Sequence, residues 1–108
     1  MPTISELRTL IKNCSGTITG GNCGVTDSCL SSSCENSYYN SCDYSDDGRY
    51  SKFGDTYWFW SASEDVSSEE GYSFWSVDFN DGSVFSLSLY YDSEIGVLDN
   101  YARVRCVR

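Results

Sequence analysis

Ser73-Phe74-Trp75-Ser76-Val77-Asp78-Phe79-Asn80-Asp81-Gly82-Ser83-Val84-Phe85-Ser86-Leu87 is the stretch that decides the fold. Trp75, Val77 and Phe79 alternate with polar residues, the period of a strand with one buried face. Asp81-Gly82 is the signature of a two-residue type I′ hairpin turn, whose twist suits paired strands. The return strand then runs from Val84 to Tyr91, with Phe85, Leu87, Leu89 and Tyr91 on one face. Upstream, Tyr57-Trp58-Phe59-Trp60-Ser61 reads as a further aromatic strand, separated from the hairpin by a polar loop from Glu64 to Gly71. Downstream, Asp92 to Asn100 reads as a loop. Tyr101 to Val107 reads as the last strand, with Ala102, Val104 and Cys106 inward and Tyr101, Arg103 and Arg105 outward. The pattern predicts an antiparallel sheet of about four strands in a meander.

The N-terminal segment has a different period. Thr3 and Glu6 form a capping box ahead of Ile4, Leu7, Leu10 and Ile11, which share one helical stripe, while Glu6 and Arg8 face away. Asn13 to Gly16 ends this helix. Residues 15–55 show no period and are rich in Gly, Ser, Asn, Asp and Cys. A loop of that length is unusual within a compact domain, and four cysteines inside it point to a stapled loop. One helix, a long disulfide-stapled loop and an antiparallel sheet make an α+β domain occupying residues 1–108 as a single unit.

The chain has 108 residues and six cysteines, with no histidine and no CxxC pair. A short chain with an even cysteine count reads as a disulfide framework formed in an oxidising compartment, and zinc, which favours CxxC knuckles and histidine, is the competing reading. Net charge is −9, which repels nucleic-acid phosphates and anionic membrane surfaces. No stretch approaches the roughly 18 apolar residues of a membrane span. Met1 is followed at once by the helix-start pattern, so an extracellular location implies a leader already removed or absent from this sequence. Nine tyrosines and three tryptophans among Ser, Asp, Asn and Gly give a composition like that of antibody combining loops.

Four segments together resemble one bacterial family: Pro2-Thr3-Ile4-Ser5-Glu6-Leu7-Arg8-Thr9-Leu10-Ile11, the Trp58 to Ser63 strand, Phe74-Trp75-Ser76-Val77-Asp78-Phe79-Asn80-Asp81-Gly82-Ser83-Val84, and Val104-Arg105-Cys106-Val107-Arg108. This is a domain of unknown function named for the C-terminal domain of the Legionella collagen-like adhesin. That family resembles the C-type lectin-like fold, which also includes formylglycine-generating enzymes. The resemblance implies an extracellular or cell-surface module and no particular ligand. It also implies a bridge from Cys14 to Cys106, worth ~4–5 kcal/mol by loop entropy. Cys23–Cys29 and Cys34–Cys42 are the pairs expected for the remaining cysteines. Family members carry a further strand before the Pro-Thr, paired beside the last strand. Here that strand is missing, which would leave the edge of Tyr101–Val107 open to another chain.

Catalysis has little support, since no histidine means no conventional Ser-His or Cys-His nucleophile. Carboxylate pairs such as Glu69-Glu70 and Asp46-Asp47 lie in polar loop sequence. Asp43, Ser45 and Asp47, followed by Gly48, resemble the start of an EF-hand loop and are candidate ligands of a structural calcium ion, although the place of the bidentate Glu holds Gly54. No other cofactor is expected. Trp58, Trp60, Trp75, Phe79 and Phe85 are assigned to the core. Tyr38, Tyr39, Tyr44, Tyr50, Tyr72, Tyr90, Tyr91 and Tyr101 are too many to bury, because each hydroxyl needs a partner. Tyr38, Tyr39, Tyr72, Tyr90, Tyr91 and Tyr101, with Arg103 and Arg105, are the candidate ligand-binding residues. The expected function is a non-enzymatic extracellular recognition or adhesion module binding a glycan or protein. Nucleic acid and membrane insertion are not expected. The alternative is a structural subunit that self-associates through the last strand.

Overall fold

A computed structural model describes residues 1–36, 41–68 and 73–88, and beyond them the backbone of three short strands. The protein is α+β: one short helix, α1 (Ile4–Arg8), and a sheet built on β1 (Trp58–Glu64), β2 (Ser73–Asp78) and β3 (Ser83–Ser88). These three strands form an antiparallel meander, with Phe59 opposite Val77 and Val77 opposite Val84. β4 (Tyr90–Asp92) and β5 (Val97–Asp99) make a separate antiparallel hairpin. β6 (Arg103–Val104) adds to the free edge of β1, giving the order β3-β2-β1-β6.

The last strand thus departs from the expected meander, because it pairs in parallel with β1. The segment read as a loop from Asp92 to Asn100 supplies β5, and this extra hairpin adds a chain reversal before β6. The turn between β2 and β3 also differs. Asp78 pairs with Ser83, so four residues, Phe79 to Gly82, lie between the strands. A type I′ turn needs positive φ at both central residues. Here only Gly82 is left-handed, at φ 72°, and a Cβ on it would sit 2.8 Å from the sulfur of Cys14. The Asp78 carboxylate accepts from the Asn80 N–H and the Asp81 carboxylate from the Ser83 N–H, which stabilises the longer loop.

The Thr3–Glu6 capping box is formed. Asp27 reinforces it from the long loop by accepting from the Thr3 hydroxyl and the Ser5 N–H. A helix this short has no intrinsic stability and depends on packing. Ile4, Leu7, Leu10 and Ile11 are buried with Trp75, Val77, Phe79 and Val84 in one cluster. Each such side chain contributes roughly 1.5–3 kcal/mol when fully buried. The helix ends at Arg8, before the expected Asn13. The reason is competition: the Lys12 N–H donates to Tyr50 O, and Lys52 N–H donates to Leu10 O, forming a bridge of Ile11 with Ser51. The groups that another helical turn would need are held by the returning loop.

Arg8 is the main exception to the expected helix face. It is 1 % exposed rather than turned to solvent. Its guanidinium donates to the carbonyls of Thr17, Val25 and Ile18 at 2.8, 2.5 and 2.7 Å. Desolvation lowers its pKa from the ordinary value, with Cys23 acting weakly the other way, yet an arginine keeps its proton in such a site.

Two disulfides staple the loop, and their pairing corrects the expected one. Cys14 bonds Cys42, not Cys106, and Cys29 bonds Cys34, so neither Cys23–Cys29 nor Cys34–Cys42 exists. The β2–β3 turn explains the first bridge. Gly82 packs on Cys14, while the Cys42 N–H donates to Asp81 O of the same turn. Cys23 is buried as a free thiol among the described residues, and Cys106 lies outside them. The Cys29–Cys34 loop is pinned to the sheet through Leu30 O, which accepts from the Trp75 indole at 2.7 Å and from the Val66 N–H at 3.2 Å.

Candidate functional site

The sheet is apolar on both faces. Phe59, Trp75, Val77 and Val84 face the helix and lie in the buried cluster. The opposite face carries Trp58, Trp60, Phe74 and Phe85, with edge-to-face contacts between Trp58 and Phe85 at 5.5 Å and between Trp60 and Phe74 at 6.0 Å. Trp75 and Phe79 are fully buried, as expected of core residues, and Trp60 is nearly so. Trp58 is not, with 38 % of its surface exposed.

Beside Trp58 stand two more exposed rings, Tyr57 at 51 % and Tyr44 at 70 %. Tyr57 holds a φ of 66°, a left-handed conformation costing roughly 1–2 kcal/mol for a residue with a Cβ. The surrounding hydrogen bonds fix it there. Its N–H donates to Asn80 Oδ1 at 3.1 Å, and its carbonyl accepts from the Phe79 N–H at 2.8 Å. Asn80 is 3 % exposed, and its backbone carbonyl also accepts from the Ser45 N–H at 2.6 Å. One buried asparagine therefore positions the chain on both sides of the patch, next to Tyr57 and next to Tyr44.

Asp78 lies between these rings. Its Oδ2 accepts from the Trp58 indole at 3.2 Å and its Oδ1 from the Asn80 N–H at 2.8 Å. Partial burial, with Asp81 adding to it, pushes its carboxyl above the ordinary value despite both hydrogen bonds. The Tyr44 phenol is also raised, first by desolvation and then by the negative charges of Asp46, Tyr57 and Asp78. Tyr44, Asp46, Tyr57, Trp58, Asp78 and Phe85 thus form one aromatic and acidic platform at the start of β1.

Two other places compete with this platform. An open apolar pocket of about 250 Å³ is lined by Met1, Trp60, Ser61 and Phe74. The Ser61 hydroxyl is spent on Trp75 O, so this pocket has no polar group to orient a ligand. The second place is the EF-hand-like stretch. Asp47 accepts from the Ser45 hydroxyl and forms a 2.8 Å ion pair with Arg49, which holds its carboxyl well below the ordinary range. Asp43 offers its carbonyl to the Tyr50 hydroxyl at 2.6 Å. No group of three or more acidic, cysteine or histidine side chains gathers to hold a metal ion among the described residues.

Of the tyrosines and arginines expected to bind ligand, Tyr38, Tyr39, Tyr72, Tyr101 and Arg105 lie outside the described residues. Tyr90 and Tyr91 lie in β4 and Arg103 in β6, where only the strand pairing is described. Glu69 and Glu70 are outside as well. Sequence reasoning missed Tyr57 and Trp58. Trp58 carried a core assignment because strand periodicity cannot tell which face of a sheet is covered. Asn80 stands just before the Asp81-Gly82 turn signal with nothing to mark it out, and no local signal announces the left-handed Tyr57 that it supports. No protein-family model matches the chain, and neither a curated protein nor a solved structure matches it.

Proposed function

We propose that this chain is a non-enzymatic recognition module, at work in an extracellular or cell-surface setting, that binds its ligand on the Tyr44–Tyr57–Trp58 platform. The observation that carries this reading is Tyr57: a bulky residue held in a strained backbone conformation with its ring exposed. Such strain persists where surrounding structure over-determines it, and it gathers at ligand sites. Exposed Tyr and Trp on a rigid frame give large contact area at low entropy cost. The disulfides suit an oxidising compartment, and no helix among the described residues is long and apolar enough to cross a membrane. A C-type lectin-like arrangement, as implied by the resemblance to the adhesin-associated family, is part of the proposal, and no cofactor is needed for it.

The test is an array of glycans and extracellular proteins probed with the wild-type chain and with Trp58→Ala and Tyr44→Ala variants. Binding that falls in both variants at unchanged melting temperature supports the platform. Binding unaffected by either change, or no binding to any class, refutes it. A second reading, a subunit of a surface assembly, is favoured by the position of β6, a two-residue strand at the sheet margin. Light scattering across a concentration series checks it, and a monomer throughout rejects it.

A further inference from the structure

Resting on that reading, we propose that the platform takes an arginine guanidinium presented by a basic segment of a partner protein. Asp78 is bonded to the Trp58 indole, and Asp46 follows Ser45, whose N–H is tied to Asn80 O beside Tyr57; the ion pair formed among the described side chains joins Arg49 to Asp47 and involves neither carboxylate. The two platform carboxylates are therefore uncompensated by any described cation, on a chain of net charge −9. The faces of Tyr44, Tyr57 and Trp58 add the negative potential of their π systems, which attracts a cation placed over the ring.

The shape narrows the choice of cation. A quaternary ammonium is held best inside a cage of rings. Here the rings lie on an open surface, 70, 51 and 38 % exposed, which suits a planar group that can stack flat. Each oxygen of Asp78 already accepts one fixed donor, from Trp58 or from Asn80. A carboxylate oxygen has room for a second, so the anchored carboxylate can receive the fork of a guanidinium. Asp78 is half-buried, which weakens solvent screening of that pair. A neutral sugar could also donate its hydroxyls to Asp78 but would bring no charge to the site, so a neutral oligosaccharide is the competing probe.

The experiment follows the Trp58 indole N–H by NMR, assigned through its loss in Trp58→Phe. The full chain is titrated with four probes: a short acetylated peptide carrying two arginines, the same peptide with citrulline, the same with lysine, and a neutral β-linked glucose oligosaccharide. The arginine peptide should shift the indole, and the citrulline peptide should bind about tenfold more weakly or less, since it keeps the plane and loses the charge. Asp78→Asn keeps one acceptor oxygen and turns an NH2 toward the other donor, so it should lower the melting temperature and, compared at equal folded fraction, weaken the arginine peptide about tenfold. Equal binding of citrulline overturns the charge argument, and equal binding of lysine overturns the argument from planarity. An indole shift with the oligosaccharide alone overturns the arginine inference while leaving the recognition reading standing. No shift with any probe also overturns the inference, and the array decides the recognition reading independently.

Discussion

Replacing Arg8 by methionine should destabilise the domain by about 3–6 kcal/mol, which is a large share of the roughly 5–15 kcal/mol that holds a domain folded. Methionine fills much of the same volume, so the loss is not chiefly one of packing. Exchanging a buried ion pair for apolar residues is often neutral, because both charges leave together. Arg8 differs in that its partners are three backbone carbonyls, of Thr17, Val25 and Ile18, which no side-chain substitution removes. Hydrogen bonds to a charged group contribute about 1.5–3 kcal/mol each, and an orphaned buried carbonyl costs about 1–3 kcal/mol, which applies to Thr17 and Val25, since Ile18 O keeps the Gly21 N–H. Relief of the buried charge offsets part of that sum. The expected fall in melting temperature is about 15 °C or more for a domain of this size. Circular dichroism melts and urea titrations of the two proteins measure it, with Arg8→Lys, which reaches fewer carbonyls, falling between them. A methionine variant melting within a few degrees of wild type would refute the reasoning, and would mean that the carbonyls find water or other donors.

Removing the Cys14–Cys42 bridge through a Cys14→Ser, Cys42→Ser double variant should cost about 3.6 kcal/mol by loop entropy for a separation of 28 residues, read from urea midpoints. An unchanged midpoint would show that the bridge does not constrain the unfolded chain. Asn80→Ala should cost about 1–3 kcal/mol, since the Tyr57 N–H loses its partner. It should also weaken platform binding more than it lowers stability, and equal binding at equal folded fraction would count against Asn80 as a positioning residue. Asp65 bears on acid stability. Burial raises its carboxyl, but donors from the Ser67 hydroxyl, the Ser86 hydroxyl and the Ser67 N–H outweigh burial, and the net shift is downward. Its contribution is therefore present above the ordinary carboxylate value and lost as pH falls through the lowered folded value. Ser86→Ala should move the acid-unfolding midpoint to higher pH, and a midpoint that stays put or falls would contradict this.

The parts of the fold legible in sequence are those governed by local periodicity. Thr3 and Glu6 announced the helix start, and the alternation of Trp75, Val77 and Phe79 announced the buried face of β2. What stayed illegible depends on contacts between distant segments. Arg8 looked solvent-facing because a helical wheel assumes that charge faces water, and the aperiodic loop carrying the three carbonyls gives no warning of its position. The helix stops early because Tyr50 and Lys52 return to its end, a contact made across some forty residues. Cysteine pairing followed the β2–β3 turn, which brings residues 14 and 42 together, and no spacing rule encodes that. The platform was half visible: abundant tyrosine announced exposed rings, but the backbone that displays Tyr57 is set by Asn80, over twenty residues away.

Because Tyr44, Trp58 and Phe85 come from a loop and two strands, the platform exists only in the folded chain. Any ligand that occupies it selects the native state alone and adds about 2.7 kcal/mol at one hundred times its dissociation constant. The surface therefore acts as its own folding sensor: a thermal-shift screen of a mixed compound collection can reveal ligands of any chemical class, and a binding signal can serve as a conformational quality check on preparations of this protein.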